Sequence, residues 1–255
     1  SETKTLLYDP CQRYSRFGVT KRELEQENQE FLQCIEGLHV HALCGSHFEA
    51  LKRMVAHLEE QFGSILHHVK WLNLGGGHLI TDPGYDRQGL CDLIKRLQDT
   101  YQVDVILEPG EAVVYQAGYL ITTVLDIHRN EKEILICDTS ATTHMPDIIE
   151  MPYQPSIQGA SINQDKTYSY IVGGVSCLSG DLMGEYYFDN PKSCGDILIF
   201  KDMAQYTMVK NTQFNGINLP GIAHLRKDNT LEKVTDFSYE FYEKKLAPSK
   251  NLIKV

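Results

Sequence analysis

Four short apolar runs punctuate the first part of the chain: Leu6-Leu7-Tyr8, Leu38 to Leu43, Val69 to Leu74 and Val103 to Leu107. The last three begin at positions 38, 69 and 103, which are 31 and 34 residues apart. Each gap has helical spacing. Thr20 and Glu23 have the form of a capping box ahead of a loose stripe of Leu24, Phe31, Leu32 and Ile35. Ser46 and Glu49 repeat the device before Phe48, Leu51, Val55, Leu58 and Phe62, at i, i+3, i+7, i+10 and i+14. A third helix is predicted from near Asp86, carrying Leu90, Leu93, Ile94 and Leu97. Strands spaced this way pair in parallel, because a parallel neighbour requires a crossover of about a dozen residues or more. Four such strands make half of an eight-stranded βα-barrel.

From about Tyr119 the texture changes to β-rich segments broken by Gly, Pro, Asn and Asp: Tyr119 to Ile127, Glu133 to Cys137, Tyr168 to Val172, Ile197 to Phe200 and Gln205 to Val209. Helical stripes vanish until a polar tail near Tyr239 to Leu246. The predicted fold is therefore α/β plus β: a partial TIM-type barrel over 1–117, then an antiparallel β-sandwich or barrel over 118–255.

A net charge of -10 and a pI near 5.4 argue against nucleic acid or an anionic membrane as partner and favour a cationic small molecule. The seven cysteines form no C-x-x-C pair and have no zinc spacing, which points to a reducing compartment, hence a cytoplasmic protein. No signal peptide and no apolar run of membrane-spanning length is visible.

In a βα-barrel the chemistry sits where strands end, and three motifs fall there: His39-Val40-His41, Gly75-Gly76-Gly77 and Glu108-Pro109-Gly110. Three glycines let backbone N–H groups approach a phosphate, although a plain structural turn has equal claim. Glu108, exposed by the Pro-Gly break after it, suits the protonated nitrogen of a pyridine ring, with a structural salt bridge as the equal alternative. His39 and His41 project to one side of their strand. His41, nearer the mouth, suits stacking on an aromatic cofactor; a metal would need a third ligand that the spacing does not reveal, and a hydrogen-bonded core histidine is commoner than either. Cys177 lies in the Gly-rich stretch Gly173-Gly174-Val175-Ser176-Cys177 before Asp181, where a thiol would exchange a proton; an inert buried cysteine is the default. Together these groups suggest a pyridoxal-phosphate site and no metal.

The motifs also carry a resemblance. Leu6-Leu7-Tyr8-Asp9-Pro10, Ser15-Arg16-Phe17-Gly18, His39-Val40-His41-Ala42-Leu43-Cys44, Gly75-Gly76-Gly77-His78, Glu108-Pro109-Gly110-Glu111-Ala112, Cys177-Leu178-Ser179-Gly180-Asp181 and Phe214-Asn215-Gly216 stand in an order that resembles the fold-type III pyridoxal-phosphate decarboxylases. That family contains the ornithine and diaminopimelate enzymes, and the chain is most similar to its branch acting on carboxynorspermidine and carboxyspermidine. The resemblance runs from Leu6 to about Phe241. It implies that His41 stacks on the cofactor ring, that Gly75, Gly76 and Gly77 meet its phosphate with Tyr206 nearby, and that Glu108 pairs with the pyridine nitrogen. It also implies that Cys177 reaches the site across a homodimer interface and governs a proton transfer, with Asp181 beside it.

Departures from the family pattern carry information too. Glu111 stands where an arginine usually follows Glu-Pro-Gly, and Cys44 where a serine is usual. Leu178 replaces a glutamate of the diaminopimelate enzymes, and Glu150, in Pro146-Asp147-Ile148-Ile149-Glu150, stands where they carry an arginine suited to a distal carboxylate. Asp147, Glu150 and Asp181 are therefore expected to favour a cationic, polyamine-type tail. The family's Schiff-base lysine lies on an early barrel strand, and no lysine here has that context; Lys4, ahead of the first run, is expected to face solvent. The chain accordingly reads as the C-terminal part of such a decarboxylase, lacking the N-terminal half of the barrel. A non-catalytic homologue with a binding or regulatory role and a diaminopimelate- or ornithine-type decarboxylase are the alternatives. One methylene separates carboxynorspermidine from carboxyspermidine, a difference worth only about 1–3 kcal/mol in a pocket.

Overall fold

The structure is a computed structural model that describes residues 9–27 and 29–246, so the run Leu6-Leu7-Tyr8 and Lys4 lie outside the described residues. The chain divides into two compact units, with the boundary between Tyr115 and Gln116.

The first unit opens with two short helices, α1 (Lys21–Leu24) and α2 (Gln29–Gln33), in place of one continuous helix. Thr20 and Glu23 do form the capping box: the Glu23 N–H donates to the Thr20 hydroxyl at 3.3 Å, and the Thr20 N–H to the Glu23 carboxylate at 3.1 Å. The stripe fails beyond it. Leu24 is buried but the next apolar residue is Phe31, seven positions on and largely exposed, so no apolar face supports the intervening turn.

Three strands follow, β1 (Gly37–His39), β2 (Trp71–Asn73) and β3 (Asp104–Ile106), in a parallel sheet of order β1-β2-β3. Their register places His39, Asn73 and Ile106 side by side at the C-terminal ends. Helix α3 (Phe48–Leu66) crosses from β1 to β2, and α4 (Arg87–Tyr101) from β2 to β3. Asp86 caps α4 by accepting the Gly89 N–H at 2.8 Å. The second predicted capping box is absent: α3 begins one residue later, with His47 as its N-cap and no side-chain cap bond. Ser46 is drawn into a parallel bridge with His78, its N–H donating to the Gly77 carbonyl and its own carbonyl accepting from Leu79, which holds it extended. A short helix, α5 (Gly110–Val114), follows Glu108 and Pro109. Leu51, Val55 and Leu66 of α3 and Leu97 of α4 pack on Leu72 and Leu74 as a fully buried core, each such side chain contributing roughly 1.5–3 kcal/mol.

The second unit is built on a six-stranded sheet: β4 (Tyr119–Asn130), β5 (Lys132–Cys137), β6 (Ala160–Ser161), β7 (Tyr168–Gly173), β8 (Leu182–Phe188) and β9 (Ile197–Lys201), ordered β6-β8-β7-β5-β4-β9. The sheet is mixed, which corrects the expectation of an antiparallel domain. β5 and β7 run parallel, Leu135 opposite Val172, because about thirty residues including the short helices α6 (Ala141–His144) and α7 (Asp147–Glu150) cross between them. The two sheet edges are joined by a single segment. Residues 156–158 pair with β9, through Lys201 N–H to the Ser156 carbonyl and Gln158 N–H to that of Ile199, and the chain runs directly on into β6, which pairs with β8. The strand edges are thereby covered.

The segment predicted as a strand at Gln205 to Val209 is instead a helical turn, α8 (Tyr206–Val209), with Tyr206, Met208 and Val209 exposed and only Thr207 buried. An antiparallel ribbon of β10 (Ile222–Leu225) and β11 (Leu231–Thr235) and the helix α9 (Tyr239–Leu246) complete the unit. Tyr186, Phe200, Leu135 and Met145 form its fully buried core, with the Tyr186 hydroxyl donating to the Pro155 carbonyl at 2.7 Å. Among the described residues no helix is long and apolar enough to cross a membrane.

Candidate active site

The parallel register of the first unit brings three sequence-distant motifs into one hydrogen-bonded patch. Asn73 is its hinge. Its Nδ2 donates to Glu108 Oε1 at 2.8 Å, and its Oδ1 accepts the Gly75 N–H at 2.8 Å, so both ends of the amide are used. His39 Nε2 lies 3.3 Å from Glu108 Oε2. The Glu108 carboxyl is half-exposed and is held below the usual carboxylate range, first by the Asn73 hydrogen bond and then by the neighbouring His39 and His41 rings.

His41 is fixed from the glycine turn. The Gly76 N–H donates to its Nδ1 at 2.9 Å, which places the proton of the neutral ring on Nε2. The Gly75 carbonyl accepts both the Glu108 N–H at 2.9 Å and His78 Nε2 at 3.1 Å. His78 is buried, and burial pushes its pKa below the ordinary histidine value. The glycines are demanded by packing as well as by any ligand: a Cβ on Gly76 would stand 2.6 Å from the Glu108 carbonyl oxygen, and one on Gly77 2.2 Å from that of Leu43. With the Gly75 and Gly76 N–H groups spent on Asn73 and His41, a phosphate at this turn would draw on other donors. Glu108 also supplies the third ligand that the spacing did not reveal, since the ligand atoms of His39, His41 and Glu108 lie within 4.8 Å of one another.

The second unit carries the remaining groups in two places. Cys177 is an exposed free thiol. Asp181 is buried and accepts four donors: the Ser140 hydroxyl at 2.9 Å and the N–H groups of Ala141 at 2.6 Å, Thr142 at 3.3 Å and Ser176 at 2.8 Å. So committed, it braces the Cys177 loop against α6 and has little left for a substrate. Asp147, on α7, is likewise buried and accepts from the Thr207 hydroxyl at 3.3 Å and from the Tyr153 phenol. Glu150 is exposed but paired with Lys210 Nζ at 2.5 Å, whose ammonium also lies 5.2 Å from the centre of the exposed Tyr206 ring. The structure thus gathers Asp147, Glu150 and Tyr206 around α7 and α8, with Lys210 neutralising Glu150.

Asn73 and Lys210 were missing from the sequence reading, and His78 entered it only as the end of the glycine motif, with no role assigned. Asn73 had a local signal, since Asn-Leu-Gly is the form of an Asx-turn; Lys210 had none.

A βα sheet whose strand ends carry an ionised carboxylate, a fixed imidazole and a glycine turn, followed by a mixed β unit, defines a cofactor-dependent class of protein. The chain belongs to the pyridoxal-dependent decarboxylases. The family described as pyridoxal-dependent decarboxylase, C-terminal sheet domain, matches residues 6–204. The chain is 44% identical over 247 residues to a carboxynorspermidine/carboxyspermidine decarboxylase of Campylobacter jejuni, covering 92% of this chain and 64% of that protein. It is 42% identical to a carboxyaminopropylagmatine decarboxylase of Synechocystis, covering 96% and 63%. The crystal structure of the Campylobacter jejuni carboxynorspermidine decarboxylase complexed with norspermidine superimposes with a TM-score of 0.85 at 44% identity, over 91% of this chain and 66% of that one. The chain spans just under two thirds of the length of these relatives.

Proposed function

We propose that this chain belongs to a pyridoxal-phosphate-dependent decarboxylase of polyamine biosynthesis that converts carboxynorspermidine, carboxyspermidine or both to the corresponding polyamine and CO₂. The observation that carries this is the patch at the strand ends, where Asn73, His39, Gly76 and Glu108 hold one carboxylate ionised and one imidazole in a single tautomer. The donor set fits the cofactor: a carboxylate for a pyridinium N–H, a ring face for an aromatic ring, and a glycine turn at the strand mouth for a phosphate. In the proposed architecture the first unit forms half of a βα-barrel, and the second supplies Cys177 across a homodimer interface in the cytoplasm.

Pyridoxal phosphate, when bound, supplies the electron sink for loss of CO₂. Glu108 holds a proton at the pyridine nitrogen. His41, fixed by Gly76, presents its ring to the cofactor; with the Gly75 and Gly76 N–H groups committed to Asn73 and His41, the remainder of the Gly75–Gly77 turn would border the phosphate and Tyr206 would offer it a hydroxyl. Cys177 assists protonation of the carbon that has lost CO₂. Glu150 would meet the cationic tail of the substrate only by exchanging its Lys210 partner for it, while the buried Asp147 and Asp181 position α8 and the Cys177 loop.

The test is Glu108→Gln in the full-length protein. An amide neither holds a full charge nor keeps the pyridine nitrogen protonated. Loss of this charge-assisted bond in the transition state lowers kcat by roughly 10- to 150-fold. The absorbance of bound cofactor is expected to persist. Near-normal turnover would remove Glu108 from its role.

A further inference from the structure

The Phe214-Asn215-Gly216 motif has no role in the account so far, yet Asn215 makes a contact that bears on the proposed proton transfer. Its side-chain Oδ1 accepts the backbone N–H of Cys177 at 3.0 Å, across 38 positions of sequence. We propose that Asn215 is a positioning residue for Cys177: its carboxamide fixes the Cys177 backbone and so the direction in which the thiol leaves the loop. This rests on the reading of Cys177 as the residue that assists protonation.

Three features support it. The first is how the loop is held elsewhere. Gly174 N–H donates to the Asp181 carbonyl at 2.9 Å, Ser176 N–H to the Asp181 carboxylate at 2.8 Å, and Asp181 N–H to the Leu178 carbonyl at 3.0 Å. These bonds fix the base of the loop on both sides of Cys177; the Leu178 N–H makes a longer bond to the Ser176 hydroxyl at 3.4 Å, and the N–H of Cys177 itself goes to Asn215 at 3.0 Å. Only the Cα–Cβ torsion then separates the peptide from the sulfur.

The second is that the acceptor is itself anchored. At one end of its segment, Thr212 N–H donates to the Thr143 carbonyl at 2.8 Å; at the other, the Asn218 carbonyl accepts from His144 Nε2 at 2.8 Å. The Thr139 hydroxyl lies 3.0 Å from His144 Nδ1, so each ring nitrogen has one partner. Both anchors stand on α6, the helix whose start Asp181 holds. The Cys177 loop and the Asn215 turn therefore share one support.

The third is the backbone of Asn215, at φ 59 and ψ 14 inside the 3-10 turn Phe214–Gly216. Few side chains tolerate that left-handed region; Gly does, and Asn and Asp are enriched there. The turn alone would accept glycine. The bond to Cys177 requires an oxygen as well, which leaves Asn or Asp.

That difference provides the experiment, made on the full-length protein with its cofactor. Asn215→Gly keeps the turn and loses the acceptor; Asn215→Asp keeps both; Cys177→Ala tests the parent reading. In Asn215→Gly, hydrogen exchange of the Cys177 amide should quicken by about two- to tenfold, as loss of one hydrogen bond allows. The Gly174 amide should exchange at its original rate, and kcat should fall with KM unchanged. Asn215→Asp should restore both amide protection and kcat. If Cys177→Ala impairs turnover while Asn215→Gly changes neither exchange nor kcat, the inference is overturned and the role of Cys177 stands. If Cys177→Ala turns over normally, the parent reading falls and takes this one with it.

Discussion

Glu108 has two separate reasons to stay charged, the Asn73 amide on one oxygen and the histidine pair beside the other. Both came from pairing strands in register, and neither neighbour is close to it in sequence. Glu108 and His41 were readable as candidates because strand-end positions in a βα pattern are few. Asn73 was passed over because its role depends on which strands are neighbours. The acidic residues read as substrate ligands show the opposite failure. Asp147 and Asp181 were singled out by motif position and charge; in the structure both are buried, Asp181 accepting from a hydroxyl and backbone N–H groups and one oxygen of Asp147 from two hydroxyls. Glu150 was read without its counter-ion, since Lys210 is 60 positions away. The His39, His41 and Glu108 cluster also has the spacing of a metal site. His39 and Glu108 face each other and His41 Nδ1 is taken by Gly76, an arrangement that serves a ring better than an ion. Prolonged dialysis of the full-length protein against EDTA should therefore leave decarboxylation unchanged. Loss of activity restored by a divalent cation would reassign the cluster to a metal.

Helices α3 and α4 were both readable from their apolar stripes, but their starts were not equally so. Asp86 caps α4 as its sequence suggests, whereas Ser46 is withdrawn from α3 by its backbone bridge to the 77–79 segment. Capping motifs are local, and a tertiary hydrogen bond overrides them. Asp86→Ala is therefore expected to destabilise the protein by about 1 kcal/mol in denaturant unfolding, the typical value of an N-cap side chain, and Ser46→Ala by much less. Equal losses would mean that Ser46 caps after all. The strand misread at α8 failed for another reason: Gln205 to Val209 was read as a strand from its β-rich composition, but within α8 only Thr207 is buried and no apolar face is covered. Strand β8 was missed because Leu182-Met183-Gly184-Glu185-Tyr186 interrupts its apolar residues with Gly and Glu. The parallel β5–β7 pair cannot be seen in any one segment, because strand direction is a property of the path between segments.

Each unit contains one buried histidine whose pKa burial holds below the ordinary value, His78 in the first and His144 in the second. Above about pH 6.5 the imidazole is neutral in folded and unfolded chains alike, so its contribution is fully present there. Below that, the unfolded chain takes up protons that the folded one resists, and stability declines until the depressed folded pKa is reached. The midpoint of urea unfolding should accordingly fall between about pH 7.5 and 5.5, and a flat or rising midpoint would contradict the burial of these two rings.

The two-unit plan, a parallel βα unit followed by a β unit, is shared with relatives whose chains are about half as long again. The account therefore meets its most direct test in the full-length protein, supplied with equal concentrations of carboxynorspermidine and diaminopimelate and followed by quantifying norspermidine and lysine. It predicts that norspermidine is by far the main product, because Glu150 stands where the diaminopimelate enzymes are expected to carry an arginine. Lysine as the main product would contradict it.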